Sequence, residues 1–126
     1  MKTPFKNDIF SMIWIAFKNI YPDKDCECFW TPEIRDDADG NECLGMTNFG
    51  EDGIVSVFVR TSLKIEDAAE IFAHELAHVA VGLEQDHNEV WESAFDAIFD
   101  EYNRIGNELF DVHEAVTVTD GKAYKK

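Results

Sequence analysis

The stretch FAHELAHVAVGLEQDHNEVW, residues 72–91, sets how the rest of the chain is read. It holds three of the four histidines, His74, His78 and His87, with Glu75 inside a His-Glu-Leu-Ala-His run. On a helix, residues four apart lie one turn above each other on the same face, so His74 and His78 can offer two imidazoles to one ion. Glu75 falls about 100° further round. The surrounding pattern is helical: Ile65, Ala69, Phe72, Leu76, Val79 and Leu83 alternate spacings of four and three, which makes one apolar stripe for a core. His74 and His78 each come two residues after a stripe residue, roughly 200° away from it. On that second face stand Ile71 and Val81, in a flank AHVAVG that is apolar where a solvated face would be charged. The reading is a helix covered on both sides, by the core on one and by a partner of the two-histidine wall on the other.

Downstream, Asp86 is the expected cap of a second helix, with Glu89 as its reciprocal partner. Trp91, Phe95, Ile98, Tyr102, Ile105 and Leu109 form that helix's stripe, and His87 falls at its first turn. Past Gly106 the pattern fades. The alternation AVTVT at 115–119 reads as one short late strand, and about the last ten residues read as frayed.

Upstream, GEDG at 50–53 is turn chemistry between ECLGMTNF and the β-branched run IVSVFVR, a hairpin feeding into the helix. Before it, CECFWTPEI and ECLGMTNF read as two strands joined by the polar loop RDDADGNE. That loop has calcium-like acids, but in EF-hand register Arg35 would fill the first ligand position, so a turn is the better reading. Thr3 and Pro4 open a first helix over roughly residues 4–20, with Ile9, Ile13, Ala16 or Phe17, and Ile20 on one face and Phe10 and Trp14 widening it.

At 126 residues the chain is expected to be a single domain, 1–126, with a self-sufficient core. The fold class read from the pattern is α+β: a small, mostly antiparallel sheet of about three strands on the histidine helix, with N-terminal and C-terminal helices. Eleven basic against 26 acidic residues give a net charge of −15, which repels phosphate backbones and disfavours direct nucleic-acid binding. Three cysteines, Cys26, Cys28 and Cys43, do not make a disulfide framework. A second metal site from these and His113 competes with the plainer reading that they are strand residues. The apolar run Ile9–Phe17 is too short for a bilayer and lacks a small-residue cleavage site, so the expected compartment is the cytoplasm.

A hydrolytic zinc site needs a third protein ligand and leaves one position to water. His87 is the leading choice; Glu84, Asp86, Glu89, Glu92, Glu101 and His113 compete. Glu84 stands where one class of zincins places its third histidine, but Val81 occupies that pattern's glycine position. Glu92 or Glu101 would be the carboxylate alternative from the next helix.

A strand like IVSVFVR, then FAHELAHVAVG, then DHNEVWESAF resembles the metallopeptidase core of SprT-like proteins, the Spartan relatives, over about residues 43–105. The resemblance implies a minimal zincin with Zn²⁺ on His74, His78 and His87, and Glu75 as general base toward a metal-bound water. Asn88 stands where that family usually has glycine. It also implies a protein or peptide substrate paired along the strand Ile54–Arg60, as in zincins generally. Tyr102, Arg60 and His113 are candidates for the oxyanion partner. The competing function is an acidic interaction protein, an inhibitor or DNA mimic, on a zincin scaffold with a structural metal or none. Substrate identity and oligomeric state are not readable from the chain.

Overall fold

The computed structural model describes residues 9–35, 40–85 and 87–119. The expected Thr3 cap, the acidic turn around Asp37 and the Asp86 cap lie outside these residues. The elements in order are α1 (Ile9–Ile20), β1 (Glu27–Thr31), β2 (Gly45–Phe49), β3 (Val55–Arg60), α2 (Ile65–Val81) and α3 (Glu89–Thr119). The domain is α+β, as the pattern predicts.

Helix α1 forms because Met12, Ile13, Ala16 and Phe17 recur at helical spacing and are all buried. Its end is held by Lys18, whose Nζ donates to the carbonyls of Pro22 at 3.2 Å and Lys24 at 2.6 Å. The β2–β3 hairpin closes as GEDG requires: Gly50 N donates to Ile54 O at 2.9 Å, and Gly53 takes the left-handed φ of 86°.

The sheet order is β1-β3-β2. Strand β3 carries Val57 and Val59, both essentially inaccessible, so the core requires it in the centre with a strand on each side. It runs parallel to β1, Glu27 opposite Ser56 through Thr31 opposite Arg60, and antiparallel to β2, Gly45 opposite Val59 through Phe49 opposite Val55. The two strands expected to flank the polar loop therefore do not pair with each other. Among the described residues their backbones are joined by the bridge of Arg35 with Glu42 and the Cys43 N to Ile34 O bond of 2.8 Å. The sheet is mixed in direction rather than mostly antiparallel.

Helix α2 lies across the valine face of the sheet, and Phe17, Phe72, Ile13, Leu76, Ile98, Val57 and Val59 form the fully buried centre. The stripe predicted for α2 is buried from Ala69 to Val79, but Ile65 and Leu83 at its ends are exposed. Leu83 lies past the helix end because Gly82, at φ 91°, turns the chain.

The short late strand at 115–119 is not formed. Helix α3 continues through Thr119. AVTVT alternates, yet a strand needs a partner for its backbone groups, and the helix supplies its own bonds without one. Among the described residues no helix is long and apolar enough to cross a membrane.

Candidate metal centre

The site is built where α2 ends and α3 begins. His74 and His78 stand one turn apart on α2, half-buried, as the four-residue spacing requires. At Gly82 the helix closes, with Gly82 N donating to His78 O at 2.9 Å, and Gln85 N to Gly82 O at 3.3 Å starts the return. His87 then takes φ 51°, the only positive φ outside glycine among the described residues. That left-handed turn carries its ring back over α2, with Nε2 at 3.0 Å from His74 Nε2 and 3.1 Å from His78 Nε2.

The expected cap, Asp86, lies outside the described residues; α3 begins at Glu89, and Asn88 Oδ1 accepts from Trp91 N at 3.1 Å, so Asn88 caps its first turn. Its amide also donates to Gln85 Oε1 at 2.6 Å, which ties the return loop together. An asparagine at this position therefore has a local reason: it anchors the residue next to His87.

The second cover of α2, expected from its apolar flank, is the aromatic row of α3. The Trp91 ring lies 4.7 Å from His74, 5.6 Å from His78 and 4.8 Å from His87, centroid to centroid. It stacks in turn on Phe95 at 5.4 Å. Its indole N–H donates to the main-chain carbonyl of His74 at 3.3 Å.

The three imidazoles can hold a metal ion: their ligand atoms all lie within 4.8 Å of one another, and this is the one such cluster among the described residues. A tetrahedral zinc shell with bonds of about 2.0–2.1 Å sets its nitrogens roughly 3.3–3.4 Å apart. The separations of 3.0 and 3.1 Å from His87 need only a few tenths of an ångström of opening. The competing ligands are elsewhere. Glu84, Glu89 and Glu92 are exposed and outside the cluster, and Glu101 binds Asn19 at 2.9 Å and Arg104 at 2.8 Å. Asp86 and the side chain of His113 lie outside the described part. The second site also fails to assemble: Cys26 and Cys28 meet at 3.9 Å, while Cys43 lies against Asn41 O, and all three are free thiols.

Glu75 is the buried charged residue of the core, 6% exposed. Burial pushes its carboxyl up to about 7, against the opposing pull of a hydrogen bond from Thr47. The Thr47 hydroxyl donates to Oε1 at 2.7 Å, and it also lies 3.1 Å from the Glu75 main-chain carbonyl. The other oxygen, Oε2, is 3.8 Å from His74 Nε2. A cavity of about 480 Å³ opens beside this pair, lined by Thr47, Phe49, Glu75, His78, Leu83 and Gln85 among others.

Neither Thr47 nor Gly45 stands out in the sequence. Strand alternation puts residues 45, 47 and 49 on one face, but nothing in ECLGMTNF says which face meets α2. Arg60 and Tyr102 are placed against other partners. Arg60 approaches Glu42 at 3.4 Å and lines a separate cavity with Phe10 and Trp30. Tyr102 packs on Phe99 at 5.6 Å.

The expected substrate strand is also corrected. Residues of β3 are bonded to β1 on one edge and β2 on the other, so Ile54–Arg60 has no edge to offer an incoming chain. The edge strand on the Glu75 side is β2.

Comparison with protein-family models, with curated proteins and with solved structures gives no match to this chain.

Proposed function

We propose that the chain is a zinc-dependent peptidase in which Glu75 is the general base. The observation that carries this reading is a buried carboxyl raised to about 7 directly beside a three-imidazole cluster and facing a cavity. A purely structural metal site does not require such a group, and a carboxyl perturbed by burial beside a cleft is what a site of chemistry would present.

His74, His78 and His87 would hold the ion through Nε2. Zinc so bound supplies a Lewis acid that lowers the pKa of water and polarises a carbonyl. Glu75 would then take a proton from the attacking water at Oε2 and return it to the departing amine. The outer edge of β2 offers main-chain groups to an extended polypeptide, and the cavity between Phe49 and Leu83 receives one of its side chains. The three free thiols suit a reducing cytoplasm.

The test is metal analysis of purified protein together with hydrolysis of an unstructured protein substrate by wild type, Glu75→Gln and His87→Ala. Support is one equivalent of zinc, kept in Glu75→Gln and weakened in His87→Ala, with hydrolysis lost in both. Zinc without Glu75-dependent hydrolysis would transfer the chain to the acidic interaction proteins, and a wild type that refuses zinc would remove the site altogether.

A further inference from the structure

Strand β2 touches Glu75 at two points. The hydroxyl of Thr47 holds Oε1 at 2.7 Å. Gly45, on the same face, lets the strand come so close that an added Cβ would lie 2.5 Å from Ile71 Cγ2 and 3.1 Å from both Cγ and Oε2 of Glu75. The donor is itself anchored: Thr47 pairs with Val57, which is fully buried in the centre of the sheet, and a β-branched side chain has little freedom at χ1.

We infer that β2 is a clamp on the general base, with Thr47 as a positioning residue that occupies Oε1 and so assigns the proton-accepting role to Oε2. The inference rests on the reading of Glu75 as base. A glutamate carboxylate is otherwise nearly indifferent between its two oxygens, because its terminal torsion is broad and roughly two-fold. The hydroxyl breaks that equivalence. Oε1 is taken by the Thr47 hydroxyl, and Oε2, which packs against Gly45 where no side chain intervenes, lies 3.8 Å from His74 Nε2. Gly45 is part of the same device, since any side chain there pushes β2 off α2 and carries the Thr47 hydroxyl out of reach.

The experiment compares wild type, Thr47→Val and Thr47→Ser, each loaded with zinc. Thr47→Val keeps the shape and removes the donor, and Thr47→Ser restores a donor. The expected result is unchanged zinc affinity in all three, with kcat for peptide hydrolysis about 10 to 100-fold lower in Thr47→Val at unchanged KM, and recovery in Thr47→Ser. Two readouts do not depend on turnover. Acetohydroxamate, which hands a proton to the base as it binds the metal, should bind more weakly to Thr47→Val and recover in Thr47→Ser. A crystal structure of Thr47→Val should show the Glu75 carboxylate rotated from its wild-type position. Wild-type hydroxamate affinity together with an unmoved carboxylate in Thr47→Val would overturn the clamp. So would loss of zinc from that variant, which would make Thr47 a support of the metal site instead. If wild-type protein binds zinc yet cleaves no peptide, the peptidase reading falls, and the clamp is still decided by the hydroxamate and the crystal structure.

Discussion

The indole N–H of Trp91 donates to the main-chain carbonyl of His74 at 3.3 Å, so the first turn of α3 is tied to the helix that carries two of the three imidazoles. The same ring lies within 5.6 Å of all three imidazole centroids. Titration with Co²⁺ or Ni²⁺ should therefore quench tryptophan emission, and Trp91→Phe should abolish most of that response even though Trp14 and Trp30 remain. Losing the indole donor should also lower stability by about 1 kcal/mol, read from urea unfolding. Equal quenching in Trp91→Phe would place the ion elsewhere.

His87 sits at φ 51°, where a side chain is strained and glycine is not. His87→Gly should raise the melting temperature of the metal-free protein, by about 1 kcal/mol of stability, while it lowers zinc affinity through loss of one ligand. Calorimetry with and without EDTA reads both quantities. A metal-free protein destabilised by this change would show that the ring contacts of His87 outweigh the strain of its left-handed turn.

Metal-free protein should lose stability as pH rises, and Glu75 gives the sign. Its folded pKa, about 7, lies above the ordinary 4.5, so the folded state binds the proton more tightly than the unfolded state. The favourable contribution is complete below 4.5 and is lost as pH rises through about 7. A rise from 4.5 to about 7 corresponds to something on the order of 3 kcal/mol. Glu101 acts oppositely and at lower pH, because Arg104 first and Asn19 second hold it at about 2. Urea midpoints in EDTA between pH 4.5 and 8 should fall more steeply for wild type than for Glu75→Gln. Parallel curves for the two would mean that Glu75 is not buried in solution.

Residues 65–103 carry the whole histidine cluster together with eleven acids, Glu66, Asp67, Glu70, Glu75, Glu84, Asp86, Glu89, Glu92, Asp96, Asp100 and Glu101, and no lysine or arginine. If the site cleaves peptides, those with flanking lysines should be preferred, and kcat/KM for them should fall as salt rises from 0.05 to 0.5 M, roughly the range over which screening closes to a few ångströms. Peptides with flanking glutamates should show the opposite slope. Salt-independent rates for both would rule out steering by this surface.

What was legible in the sequence follows from which constraints are local. The helix under His74 and His78, the turn at GEDG and the return of His87 are each fixed by spacing or backbone preference over a few residues, and each is found. The strand order was not legible, because CECFWT and GMTNF look equally able to pair with each other or with VSVFVR. Only packing decides, by requiring Val57 and Val59 at the centre. For the same reason the Thr47 contact is invisible: it depends on how closely one strand settles on a helix, which the sequence records only as a glycine. AVTVT misleads in the reverse way, since its alternation is genuine but the segment continues helix α3, which supplies its backbone bonds internally.

The parallel pairing of β1 with β3 has a consequence for how the molecule assembles. A parallel pair cannot form from a tight turn, so β1 must wait while the chain from residue 32 to residue 54 is looped out beside it. The β2–β3 hairpin and the turn into α3 join neighbouring stretches, and that turn brings the three histidines together, whereas the Thr47 to Glu75 contact spans 28 residues. The imidazole cluster thus belongs to the part of the chain with short closure distances, which is expected to organise early, while the hold of Thr47 on Glu75 waits for a longer closure. Helix α1 and strand β1 join through longer closures and are expected to seal the centre after the imidazoles have met.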